Sequence, residues 1–231
     1  VIHEQTAAYG RANKLSSYFA DKIALARETS RRFYPKAKSE VIGNPILPEI
    51  AKIKPKDKIG IPPTIYITGG SRGSVPINTL FEKILNKLLK DFYIIHQSGY
   101  FDFDKFKKIK SSLPQSLRDR YEIFKVIDPM KVDTIFKRAD IIVSRAGANT
   151  VSDIIATKRP SLLIPLPVAY KFEQKENALF AKNFGIAKII DQEYLTPTKL
   201  FVEIRNLRNN WDKMVSAVKN KKSPDIYASE R

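Results

Sequence analysis

The stretch IYITGGSRGSVPIN, residues 65–78, reads as a β-strand that stops in glycine and serine and reopens as a helix. Such a helix start leaves backbone N–H groups without intrahelical partners, and the helix dipole adds partial positive charge there. Together they make a site for an anion, usually a phosphate. The second reading is a tight strand-to-helix turn that uses glycine for its positive φ. This stretch alone admits both.

Outward from it, strand-like and helix-like segments alternate. TIYIT (64–68) is β-branched and aromatic, and PINTLFEKILNKLLK (76–90) carries apolar residues at helical spacing. Further strands are predicted at 92–96, 121–127, 140–144, 160–166 and 187–191. Helices are predicted at 103–113, 130–139, 149–157 and 173–184, and two more close the chain. This alternation with short connections predicts an α/β fold with a parallel sheet covered by helices on both faces. Ligands of such sheets gather at the carboxyl ends of the strands, here the loops 69–74, 96–103, 127–130, 145–149 and 165–173.

Residues 1–45 hold a strand, a helix near 12–20 and two short strands at 22–26 and 39–44, and read as the end of one α/β domain. The following stretch, 46–63, is rich in proline and charge and reads as a linker. A complete second domain is predicted over 64–231. Because VIHEQ reads as a buried strand at the very first residue, Val1, the chain is expected to be the C-terminal part of something longer.

The loop after the fourth strand of that second domain, SRAGANTVSD (144–153), repeats the logic of the opening stretch. Two helix N-termini then point at one crevice, which suits a diphosphate, and Arg145 supplies a fixed positive charge beside it. Asp153, in the first turn, either compensates the helix dipole or accepts from a ribose hydroxyl. In EQKENA (173–178), Glu173 and Asn177 share a helix face with Gln174 beside them, a set that suits sugar hydroxyls or an ordinary polar first turn. The Asp-x-Asp of FDFD (101–104) is read as an N-cap for the next helix rather than a metal site.

Composition narrows the classes further. The absence of cysteine excludes disulfides and thiolate chemistry, and two histidines make a His-rich metal site unexpected. There is no visible nucleophile–base–orienter set. Lys and Arg total 41 against 24 Asp and Glu, a net charge of +17 that favours an anionic partner: nucleic acid, a membrane surface or a phosphorylated ligand. No zinc-finger or RRM signature supports nucleic acid.

Taken together, the motifs resemble the MurG family of two-domain glycosyltransferases. The matching stretches are HEQ (3–5) with Asn13, GNP (43–45), GGSRG (69–73) with Asn78, HQSG (96–99), SRAGANTVSD (144–153) and EQKENA (173–178), in the family's order over nearly the whole chain. The resemblance implies a GT-B fold: 64–231 is a Rossmann-like, nucleotide-sugar donor domain, and 1–45 is the end of the acceptor domain. It implies inverting, metal-independent transfer of GlcNAc from UDP-GlcNAc to the undecaprenyl-linked acceptor lipid I, giving lipid II for peptidoglycan. No cofactor, metal or nucleic acid is expected. The implied place is peripheral, on the anionic cytoplasmic face of the plasma membrane.

The implied roles follow the motifs. Gly70, Ser71, Gly73 and the amides after Ser71 hold the diphosphate, with Asn78 two helical turns along. The backbone of Ile127 takes the uracil role. Ala148, Asn149, Thr150, Val151, Ser152 and Asp153 bind phosphate and ribose, helped by Arg145. Glu173, Gln174 and Asn177 fall at the sugar. His3, Glu4, Thr6 and Asn13 fall in a loop facing the cleft, with His3 and Glu4 as the candidates for catalysis.

The sequence departs from the family pattern at Leu47 (usually arginine), Thr6 (usually asparagine), Asp153 (usually glutamate) and Glu173. The family's N-terminal glycine-rich, His-containing loop has no match, and the acceptor-activating base is implied to come from that region. A chain that binds donor but turns over poorly by itself is therefore expected. The alternatives are a related UDP-sugar glycosyltransferase, either a glycolipid synthase or a donor-half subunit, and a non-catalytic nucleotide or nucleic-acid binding module.

Overall fold

The computed structural model describes residues 1–167 and 173–230. Among them the β-branched and aromatic runs form nine strands in two wholly parallel sheets. The first sheet has the order β1-β2-β3, from Ile2–Glu4, Ile23–Leu25 and Ser39–Val41. The second has the order β6-β5-β4-β7-β8-β9: β4 is Thr64–Thr68, β5 Tyr93–Gln97, β6 Tyr121–Phe124, β7 Ile141–Ser144, β8 Ser161–Leu163 and β9 Ala187–Ile189. Winding outward in both directions from β4 gives the doubly wound order of dinucleotide-binding sheets. Chain direction across the sheet reverses between β4 and β7, and a crevice opens there at the strands' carboxyl ends.

Both faces of the second sheet are dry, so its strands are almost continuously apolar. The pleat sends Ile65, Ile67, Ile141 and Val143 to one core, shared with helices Val75–Glu82 and Pro197–Asn209. Tyr66, Ile95 and Ile142 go to the other, beneath helices Val132–Arg138 and Ala148–Thr157.

Two expectations are corrected here. The helix expected over 76–90 is two helices, Val75–Glu82 and Leu85–Asp91, because Ile84 leaves helical geometry at φ −117°, ψ −1°. The segment expected as a linker is packed: Pro48–Ala51 is helical, and Ile50 and Ile53 are buried in the second core. The end of the chain also returns to the first sheet. Arg27 and Asp225 form a fully buried ion pair (2.5 and 2.8 Å), and a Cβ on Gly43 would lie 2.4 Å from the Pro224 carbonyl oxygen.

Candidate functional site

Two cavities of about 530 and 540 Å³ open at the switch point and share Gly70 and Thr150 in their walls. The first has apolar sides, among them Ile127, Val132 and Phe136, with Tyr66, Asn149 and Asp153 as polar lining. The second sets Arg72, Ser74, Asp102, Arg145, Gln174 and Gln192 among apolar walls that include Val75, Phe101 and Leu166. Each volume lies in the usual range for small-molecule sites.

The waist between them is backbone. Gly70 takes φ +86°, and its N–H donates to Thr68 Oγ1 (3.0 Å) while its carbonyl accepts from the Gly73 N–H (3.0 Å). Gly73 and Gly99, at φ +78° and +79°, interlock. A Cβ on Gly73 would lie 2.3 Å from the Ser98 carbonyl oxygen, and one on Gly99 2.3 Å from that of Arg72. No side chain fits there, which fixes the glycine loop against the end of β5.

Neither helix start at the waist is capped by its own side chain. Ser74 is the N-cap residue of Val75–Glu82, but its Oγ accepts from Arg145 (2.8 Å) instead. The other helix, Ala148–Thr157, begins at Gly147, which has no side chain to offer. Both dipole ends therefore reach the cleft with free N–H groups.

Arg145 is nearly buried and donates to the Ile164 and Pro165 carbonyls (3.1 Å each), Ser74 Oγ and Gln192 Oε1 (2.5 Å). All four acceptors are neutral, and burial holds its pKa below the usual arginine value. An anion in the cleft would relieve that penalty. Asp153 is pushed up to about 7, first by burial and then by the charge of Asp225. Glu173 is also raised, by burial and then by Glu4.

The structure separates the predicted residues into those at the cleft and those behind it. Gly70, Ser71, Gly73, Ile127, Arg145, Asn149, Thr150, Asp153 and Gln174 line the cavities. Gln174 Oε1 accepts from the Leu166 N–H (3.0 Å). Ile127 spends its N–H on Gln97, so its carbonyl is the backbone group left to meet a base. Ala148 sits in the first turn of its helix, and Glu173 lies outside the lining.

Several others are structural. Val151 is buried in the core, and Ser152 accepts from Arg27 and Asn44 (2.9 and 3.0 Å), tying this helix to the first sheet. Asn177, expected at the sugar, is buried and bridges the Ala7 N–H to the Ala146 carbonyl. Asn78, expected at the diphosphate, is buried and donates to the Ser98 carbonyl (2.8 Å) and to Asp102 (2.7 Å). Asp102 does occupy the N-cap position of Phe103–Ser112, but its carboxylate serves Asn78 rather than the helix.

The loop of 3–13, expected to face the cleft, contributes no residue to either cavity and is organised around Glu4. Its carboxylate accepts from the Thr6 N–H and hydroxyl, the Gly10 N–H, Asn13 and the Tyr34 hydroxyl, at 2.5 to 3.2 Å. Burial alone would raise its pKa, but these donors hold it below the usual glutamate value. A carboxylate so satisfied is a poor proton acceptor, and its five donors are those of a structural group. Thr6 and Asn13 are its partners. His3 Nε2 lies 3.2 Å from the Gly43 carbonyl oxygen, which makes it a donor in a structural bond.

Sequence reasoning gave no site role to Tyr66, Thr68, Ser74, Gln97 (within HQSG), Phe136 and Gln192, which all line the cleft. A signal was available for Thr68 and Gln97: each is the last residue of its strand, at the carboxyl edge where ligands collect.

With this geometry in place, residues 64–229 match the glycosyltransferase family 28 C-terminal domain. The chain belongs to that family. The UDP-N-acetylglucosamine--N-acetylmuramyl-(pentapeptide) pyrophosphoryl-undecaprenol N-acetylglucosamine transferase of Acetivibrio thermocellus is 34% identical over 242 residues, covering 100% of this chain and 64% of that protein. The enzyme of the same name from Clostridium botulinum (strain Alaska E43) is 34% identical over 95% of this chain and 61% of its own length. The crystal structure of Acinetobacter baumannii MurG superposes with a TM-score of 0.70 at 25% identity, covering 99% of this chain and 64% of that one. The fold is that of the GT-B glycosyltransferases, as the MurG resemblance implies. The family 28 chain spans less than two thirds of the length of these relatives.

Proposed function

We propose that this chain carries the nucleotide-sugar half of an inverting glycosyltransferase, which moves GlcNAc from UDP-GlcNAc to the undecaprenyl-linked acceptor lipid I and forms lipid II. The observation that carries this reading is the pair of chambers joined at Gly70 and Thr150. Uridine suits the first, where Ile127 and Phe136 flank the base and Asp153 accepts from the ribose hydroxyls. A diphosphate suits the waist, where two helix starts present N–H groups. The sugar suits the second chamber, within reach of Gln174 and Gln192.

As the glycosidic bond breaks, negative charge grows on the departing UDP. The helix starts and Arg145 are arranged to stabilise it without rearranging. That charge compensation comes from the chain itself, so donor binding is expected to be indifferent to EDTA. Activation of the acceptor hydroxyl falls to a base on the acceptor side, since the donors around Glu4 keep it from that role. The net charge of +17 suits peripheral attachment at an anionic membrane surface on the cytoplasmic side. Among the described residues no helix is long and apolar enough to cross a membrane.

One observation favours a related UDP-sugar transferase as the second reading. Leu47, where the MurG pattern usually has arginine, lines the nucleoside chamber and brings no charge to it. Calorimetric titration with UDP-GlcNAc, UDP-glucose and UDP in EDTA tests both readings. Preference for UDP-GlcNAc over UDP-glucose supports the first, preference for UDP-glucose supports the second, and equal binding of all three keeps the UDP site and leaves the sugar open. A folded chain that binds none of them rejects the donor site.

A further inference from the structure

HQSG (96–99) ends β5 between the glycine loop and the base-facing loop, and its two polar side chains point to opposite faces of the sheet. His96 is fully buried on one face. Burial lowers its pKa to about 3, and it lies between the Tyr121 hydroxyl (2.9 Å) and Asn78 Oδ1 (3.1 Å). Asn78 already donates from its amide nitrogen to the Ser98 carbonyl and Asp102, so its oxygen must accept and His96 Nε2 must donate. That network anchors the strand end from behind.

Gln97, on the cleft side, is 5% exposed. Its Oε1 accepts from the Ile127 N–H (2.9 Å) and, more weakly, from the Tyr66 hydroxyl (3.5 Å), and its Nε2 donates to the Gly70 carbonyl (2.8 Å). The two backbone partners fix the amide's orientation, because an N–H requires the oxygen and a carbonyl requires the NH2. Ile127 stands at the base end of the cleft and Gly70 at the diphosphate end. One side chain therefore spans the two loops that grip opposite ends of a nucleoside diphosphate. Glycine at φ +86° leaves its peptide free to rotate unless something holds it, and the Gly70 carbonyl is held by Gly73 and Gln97 together.

We propose that Gln97 is a positioning residue for the donor: a strut that sets the spacing between base-facing and diphosphate-facing loops before the ligand arrives. The inference rests on reading the cleft as a nucleoside diphosphate site. Preorganised loops bind a ligand that touches both without the cost of ordering them. A ligand touching one loop gains little from the strut.

The test compares the wild-type chain with Gln97→Met, similar in length but without these bonds, and Gln97→Glu. In calorimetry at pH 8, Gln97→Met is expected to weaken UDP by roughly 10- to 100-fold, from the loss of the bonds to Ile127 and Gly70 and the weaker one from Tyr66. Uridine, followed by NMR titration, should change by less than about threefold, since it touches one loop. Gln97→Glu sets a carboxylate against the Gly70 carbonyl at pH 8. Its deficit relative to wild type should shrink at pH 5.5, where the protonated acid donates to that oxygen. In the ligand-free chain, amide exchange at Ile127 should accelerate at least about tenfold in Gln97→Met, with the β4 core amides little changed.

A purely packing role predicts a Met variant within about twofold of wild type for UDP, and that result overturns the proposal. Ile127 exchange that ignores the substitution overturns it as well, whatever UDP does. A wild-type chain that fails to bind UDP overturns the nucleotide reading instead. Should Gln97→Met fail to fold, the pH-dependent recovery of Gln97→Glu decides, and its absence counts against the strut.

Discussion

Glu4 and Asp153 are both carboxylates that the fold desolvates, one buried at the end of β1 and one half-buried in the second turn of Ala148–Thr157, and their pKa values move in opposite directions. Glu4 is ringed by donors from Thr6, Gly10, Asn13 and Tyr34. Asp153 is half-buried in the wall of the nucleoside chamber, and among the described residues no donor reaches its carboxylate. Burial is common to both, so hydrogen-bond supply makes the difference. A satisfied carboxylate has already been used by the fold. An unsatisfied one is held ready for hydroxyls that the protein does not provide.

The largest effect that separates the two is on stability. Glu4→Gln puts an amide NH2 among groups that are themselves donors, and should destabilise the chain by about 3 kcal/mol. For a chain of this size that is a fall in Tm of roughly 6–12 °C, read by a thermal melt. UDP affinity should stay within about threefold, since Glu4 lies outside both chambers. A melt within about 2 °C of wild type would dissolve the contrast from the Glu4 side.

Asp153→Asn should do the reverse. Loss of the charged acceptor is expected to weaken UDP by roughly 30-fold, about 2 kcal/mol. Its effect on stability has a definite sign. The folded chain holds the Asp153 proton up to about pH 7, whereas the unfolded chain releases it near 3.8. Ionisation therefore erodes stability as pH rises from 4 to 7. Asparagine escapes that loss, so the variant should melt above wild type at pH 8 and level with it at pH 4. A variant that melts lower at pH 8 would mean that Asp153, too, is a structural group.

The same contrast explains what was legible in the sequence. The β/α alternation placed the loops at 69–74, 96–103, 127–130 and 145–149 that line the cleft, because strand direction in a parallel sheet fixes which ends face the crevice. It missed the lining from Pro45–Leu47 and Gln192, and residues 168–172 of the predicted loop 165–173 lie outside the described residues. The glycines of 69–73 and the start at 147–150 stood out because backbone chemistry is local. The polar side chains were harder. Asn78, Asn177 and Glu4 have the right chemistry for a sugar nucleotide, yet each is consumed by partners far away in sequence, such as Ala7 for Asn177 and Tyr34 for Glu4. Nothing in the spacing of a motif tells which of its polar groups the fold will satisfy. The role of Gln97 in HQSG escaped notice for the same reason, since its partners at 70 and 127 meet only in the folded sheet.

The smallest effect is also the most specific. If ribose hydroxyls donate to Asp153, they bind its ionised form, and binding must compete with the proton. With a free-state pKa of about 7, affinity for UDP-GlcNAc should fall about tenfold between pH 8 and pH 6, or about 1.4 kcal/mol. UDP-GlcNAc is the ligand to use, because its diphosphate is esterified at both ends and has no oxygen that titrates near neutrality. Calorimetry in two buffers of different ionisation enthalpy should show protons released on binding at pH 6 and almost none at pH 8. In Asp153→Asn both the slope and the proton release should vanish. Glu4 predicts no such slope, because its donors keep it ionised across this range. A wild-type profile flat from pH 8 to 6 would mean that the ribose does not meet Asp153, and the carboxylate's burial would then need another cause.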